Sequence, residues 1–131
     1  MQSALSRLTH RNGQIIKIFR EDQDQFNCGE LYVSHIQGMV IRAWKKHLKL
    51  TSLLIAIKGK FQVVLVENGV YKKYSLTDDL STKLIIRPGT WYGFQSKLKE
   101  GGMILAALDA PHDPGEQVSA PIEQFDYKWD S

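Results

Sequence analysis

Lys45 and His47, two residues apart, are the pair in this chain with the most chemistry to offer. On an extended strand, positions i and i+2 face the same way, so both side chains address one volume. A histidine titrates close to neutral pH and can shuttle a proton; the competing reading is a lining histidine that is simply hydrogen-bonded. Lysine is ordinarily a cation, but burial and nearby like charges, here Arg42, Lys46 and Lys49, disfavour the ammonium form. A neutral lysine deprotonates a carbon acid or condenses with a ketone. An ordinary cation at a pocket mouth is the alternative. Tyr92 offers a phenol to a keto oxygen, or fills a core with its hydroxyl satisfied. Trp44 and Trp91 present flat rings to a base or sugar, or pack as core. Arg42 and Lys49 suit a diphosphate, or form a solvated basic rim. His112, just before Asp113-Pro114, borders a pocket mouth or sits in a plain turn, and His10 and His35 carry no motif.

Few other groups can react. The 131 residues include four histidines and one cysteine, Cys28, which excludes an intramolecular disulfide and a Cys-built zinc site. Cys28 has no run of cations beside it to activate the thiol. Lys and Arg total 17 against 14 Asp and Glu, a net charge of +3, too mild to suggest nucleic acid or membrane as a partner. Hydrophobic residues at 43% with 24% charged exclude a disordered or collagen-like chain. The longest apolar run, Leu53 to Ile57, is far short of a bilayer span, and Met1 to Leu8 has no secretory core. With a free thiol, the expected location is the cytoplasm.

The elements that must position these residues are short β-type runs broken by turns. Strands are expected over Gln14 to Arg20, Glu30 to Ile36, Met39 to His47, Leu53 to Ile57, Phe61 to Glu67, Val70 to Leu76, Thr82 to Ile86, Trp91 to Ser96 and Met103 to Leu108. Asn68-Gly69 is the favoured pair for a two-residue hairpin, and Arg87-Pro88-Gly89 is a turn. Alternation sends Lys45, His47 and Lys49 to one face, and Arg42, Trp44 and Lys46 to the other. Leu53 to Ile57 is apolar on both parities, so it should be buried on both sides or face a partner. Residues 1–131 form one domain, with 1–11 a flexible leader and 109–131, rich in proline and ending in Phe125-Asp126-Tyr127-Lys128-Trp129, a tail wrapping the surface. The expected fold is all-β, with about eight to ten strands.

Gly38 to Gly59, with its Arg42-Ala43-Trp44-Lys45-Lys46-His47 core, resembles the first motif of the cupin superfamily, and Arg87-Pro88-Gly89-Thr90-Trp91-Tyr92 resembles the second. That implies a single jelly-roll β-barrel of two antiparallel sheets. Metal-binding cupins carry ligands at positions that fall here on Lys45, His47, Ser52 and Tyr92. Only His47 is a good ligand, so no metal or other cofactor is expected. Gly29 to Ser34, Ile41 to Trp44, Lys49-Leu50-Thr51, Arg87 to Phe94, Pro111 to Pro114 and Phe125 to Trp129 together resemble the dTDP-4-dehydrorhamnose 3,5-epimerase-like family. Its members act on nucleotide-linked 4-keto-6-deoxy hexoses in polysaccharide synthesis. The resemblance puts the family's base histidine at Lys45, its acid tyrosine at Ala106 and its keto-supporting lysine near Ser52. Arg42 is retained as a phosphate or sugar contact. Two functions follow. One is a metal-independent isomerase using Lys45 or His47 as base and Tyr92 as donor, with the sugar nucleotide held by Arg42, Lys49, Trp44, Trp91 and His112. The other is a catalytically silent relative that binds a sugar nucleotide or a partner enzyme. A homodimer is expected in either case.

Overall fold

In the computed structural model, residues 1–130 are described, His10 by its backbone alone; Ser131, the last residue of the expected tail, lies outside the described residues. The strands in chain order are β1 (Gln2–Ala4), β2 (Ser6–His10), β3 (Gly13–Lys17), β4 (Glu30–Ile36), β5 (Ile41–His47), β6 (Ser52–Lys58), β7 (Lys60–Glu67), β8 (Val70–Thr77), β9 (Thr82–Ile86), β10 (Trp91–Ser96), β11 (Gly102–Leu108) and β12 (Gln117–Ser119). One sheet runs β1-β9-β6-β11-β4 and faces a second of order β12-β5-β10-β7-β8, while β2 and β3 make a separate hairpin. The paired strands are antiparallel throughout. This is the all-β fold the strand pattern implied, in the jelly-roll arrangement that the family resemblance implied. The Asn68-Gly69 turn takes positive φ at both residues, 51° and 76°, as a tight hairpin between right-twisted strands requires.

Alternation along the central strands produces three apolar layers. Leu54 and Ala56 of β6, Val63 and Leu65 of β7, and Tyr92, Ile104 and Ala106 face one another between the sheets. Leu53 and Ile55 face outward, but Leu5 and Phe26 cover them, with Ile16, Ile18 and Phe19 packed alongside. The two-sided strand is therefore satisfied within the chain rather than by a partner. Val64 and Val66 face outward from the second sheet, together with Trp44, and are covered by Phe125, Tyr127 and Trp129. Each such fully buried aliphatic side chain stabilises the fold by about 1.5–3 kcal/mol.

Both chain ends differ from expectation. The leader over 1–11 contributes β1, which pairs with β9, and β2, and it buries Leu5; a short apolar residue amid polar ones was too weak a signal to read. Lys83 secures the segment that follows, donating to Ile18 O at 2.8 Å and Asp24 Oδ1 at 2.7 Å. The tail wraps the second sheet, yet its Gln117–Ser119 also joins that sheet as β12, against β5. β1, β2 and β12 account for the strands beyond the expected eight to ten. Among the described residues, no helix is long and apolar enough to cross a membrane.

Candidate functional site

The site is built around an irregularity in β5. Against β10, Lys45 pairs with Tyr92 but Ala43 pairs with Gly93, so the register shifts by one residue and Trp44 has no partner there. Such a bulge reverses the phase of alternation beyond it. Arg42, assigned by simple alternation to the outer face, therefore pairs with Phe94 and turns to the same side as Lys45. The backbone groups that Trp44 cannot offer to β10 bond instead to Ala120, N–H to O at 2.9 Å and O from N–H at 3.0 Å. Gly93 permits the close approach, because a Cβ there would meet Ala43 Cβ at 2.6 Å and Arg42 O at 3.1 Å.

Inside the bulge lies a cavity of about 360 Å³ lined by Ser34, Arg42, Lys45, Tyr92, Phe94 and Ser119, among others. Lys45 is half-buried with its Nζ 5.6 Å from the centroid of the Tyr92 ring. None of the ion pairs among the described residues uses Lys45. Burial, followed by the Arg42 charge, pulls the Lys45 ammonium below its usual value, with Glu116 opposing. Burial pushes the Tyr92 phenol far above its ordinary value, with Tyr32 and Glu116 adding to the effect, so it stays protonated.

His47 is only 3% exposed and packs behind Tyr92 rather than on the cavity wall, ring centroids 6.3 Å apart. Its Nδ1 is hydrogen-bonded to Glu116 Oε1. The other carboxylate oxygen accepts from the backbone N–H groups of Lys49 at 3.3 Å and Leu50 at 3.4 Å. Burial pushes the Glu116 carboxyl up, but the His47 bond and those backbone bonds outweigh it and hold it below the usual carboxylate range. A carboxylate that only accepts places a proton on Nδ1, so that in the neutral tautomer the lone pair lies on Nε2. That Nε2 and Ser52 Oγ are buried without a hydrogen-bond partner among the described residues.

Of the residues singled out from the sequence, the structure brings Arg42, Lys45, His47 and Tyr92 together. Lys49 follows the end of β5 and is exposed, because the strand stops at His47 and alternation no longer applies. Trp44, 2% exposed, borders the cavity but packs its indole among the tail aromatics, its Nε1 donating to Ile122 O at 3.0 Å. Trp91 lies on that outer face too, against Phe125 and under Lys46 Nζ at 4.8 Å. Trp91 is not among the residues lining the cavity. His112 is an exposed loop residue whose N–H donates to Glu30 Oε1. Glu116 was missed: it follows Asp113-Pro114-Gly115 in a single turn of 3-10 helix, and a lone acid in a proline-rich tail carries no signal of a partner 69 residues away. Tyr32 of β4 stands directly across from Ala106, packed against the inner core.

Among the described residues, no group of three or more His, Cys, Asp or Glu side chains converges as a metal site. Residues 2–127 match the family described as FdtA: WxcM-like, C-terminal. The chain belongs to that family. Among solved structures, this FdtA-family chain is similar to a dTDP sugar isomerase from Desulfovibrio desulfuricans G20, at 28% identity over 98% of this chain and 89% of that one, TM-score 0.87. The 3,4-ketoisomerase QdtA from Thermoanaerobacterium thermosaccharolyticum, crystallised with TDP, shares 20% identity over 90% of this chain and 85% of its own, TM-score 0.78. A dTDP-4-dehydrorhamnose 3,5-epimerase from Bacillus anthracis str. Ames, with TDP and PPi bound, shares 14% over 98% and 83%, TM-score 0.83. The last two likenesses concern the fold alone. No curated protein matches the chain.

Proposed function

We propose that this chain is a sugar-nucleotide isomerase that moves a proton on the carbon beside a ketone, without a metal. One observation carries the reading. The barrel cavity holds an unpaired amine and a protonated phenol, with a carboxylate-held imidazole directly behind the phenol. Tyr92 donates to the keto oxygen, His47 accepts the carbon-bound proton at Nε2, and Glu116 is its positioning residue. Arg42, exposed at the mouth, suits the diphosphate. Because Tyr92 stands between His47 and the cavity, its ring must turn aside as the sugar enters. The relatives crystallised with TDP or named as dTDP-sugar isomerases support the substrate class.

A silent binding protein is favoured by a specific observation: Ala106 and Ser52 occupy positions where the resemblance called for a tyrosine and a lysine. Incubation with a dTDP-linked 4-keto-6-deoxy hexose in deuterated water separates the two. Loss of the C3 or C5 proton signal by NMR supports the isomerase; calorimetric binding without exchange supports the binder. A second copy of the chain belongs to the same reading. β4 ends its sheet with an open edge and carries exposed Leu31 and Val33, a surface that pairing with another copy covers.

A further inference from the structure

Lys45 lines the cavity, and the proton-transfer reading gives its amine no step. It stands where an amine reaches the same carbonyl as Tyr92, since the two residues are paired across β5 and β10 and Nζ lies 5.6 Å from the phenol ring. Among the described residues no carboxylate is ion-paired with it, so none of their salt bridges has to break before it reacts. We propose that Lys45 is a nucleophile that condenses with the ketone of the sugar nucleotide, so that the proton transfer runs through an iminium and its enamine. The proposal rests on the isomerase reading above for its ketone, and it explains how the reaction proceeds without a lysine at Ser52 to support the keto oxygen.

The step balances with the groups present. The Lys45 amine adds to the carbonyl carbon and gives a carbinolamine. Tyr92 protonates the departing hydroxyl, water leaves, and a C=N bond forms with positive charge on nitrogen. That charge acidifies the neighbouring C–H. His47 Nε2 takes the proton, and the C–H electron pair becomes the enamine C=C as the C=N pair returns to nitrogen. A solvent proton is then delivered to the opposite face of that carbon and His47 gives its proton up to solvent, so the centre is inverted. Addition of water regenerates the ketone and the Lys45 amine, and the Tyr92 phenolate recovers its proton. Burial and the adjacent Arg42 both favour the neutral amine needed for the first bond.

The test is reductive trapping on the full chain. A dTDP-linked 4-keto-6-deoxy hexose is added with sodium cyanoborohydride, followed by intact mass and peptide mapping. The expected product carries the mass of the sugar nucleotide less one oxygen atom, located on Lys45, and disappears in Lys45→Arg. Solvent deuterium exchange is followed in parallel without the reductant. Exchange by the wild-type chain with no adduct on Lys45 overturns the iminium and leaves the isomerase reading standing. Neither exchange nor adduct overturns both. An adduct spread over surface lysines and unchanged in Lys45→Arg also overturns the iminium. Because the wild-type map alone can refute the proposal, a variant that fails to fold does not shelter it.

Discussion

Replacing Glu116 with glutamine preserves the shape of the His47–Glu116 contact and reverses its proton logic. The carboxylate now serves His47 Nδ1 through one oxygen and the Lys49 and Leu50 N–H groups through the other. Glutamine has a single oxygen. Turning its NH2 toward the two backbone donors breaks two hydrogen bonds; turning it toward His47 breaks none, provided Nδ1 becomes the acceptor. The second arrangement wins, and the ring proton moves to Nε2, so the lone pair facing the interior is lost. A general base contributes about 10²–10⁴-fold, and Glu116→Gln should slow exchange of the substrate proton by that order. Stability should fall by only about 1–2 kcal/mol, the difference between a charge-assisted and a neutral hydrogen bond. The assay has two arms: proton exchange by NMR, and the 15N pattern of the His47 ring, which reports the tautomer whether or not the chain is active. Wild-type exchange in Glu116→Gln, or an unchanged tautomer, would refute the reasoning.

Gly93→Ala should push its new methyl against Ala43 at 2.6 Å, cost roughly 1–3 kcal/mol in urea unfolding, and weaken sugar-nucleotide binding in calorimetry by displacing Arg42. Asp24 is held below the usual carboxylate range, chiefly by the Lys83 hydrogen bond and then by the Arg20 N–H. A depressed folded value means stabilisation that is complete above the unfolded value, about 3.9, and is lost as pH falls through the folded one. Asp24→Asn should therefore flatten the loss of stability below about pH 4, measured by unfolding at stepped pH. Leu31→Lys, on the open edge of β4, should convert a dimer to a monomer by light scattering at micromolar concentration, and a wild-type monomer contradicts the dimer.

The barrel was legible because its strands announce themselves locally. Glu30–Ile36, Thr82–Ile86 and Trp91–Ser96 have the bounds their alternation and flanking turns imply. Lys45, His47 and Tyr92 were legible as a group because i, i+2 spacing and a second strand carry through regular pairing. Arg42 was placed on the wrong face because a bulge is a relation between two strands, here set by Gly93 and by Ala120 bonding to Trp44. Trp44 and Trp91 were left between a ligand and the core for a related reason: an aromatic residue on a strand looks the same whether a ligand or the chain's own tail covers it. Glu116 reaches His47 only after the chain has turned back from β11, a long-range contact that local pattern does not encode.

The most direct measurement is the rate at which the C3 or C5 proton of a dTDP-linked 4-keto-6-deoxy hexose is lost to deuterated water, for the wild-type chain and for His47→Ala. Proton loss by the wild-type chain, slowed by roughly two or more orders of magnitude in His47→Ala while nucleotide binding persists, is the predicted result. Binding without proton loss, or proton loss at the same rate in the variant, would contradict the central claim that this barrel moves a proton through His47.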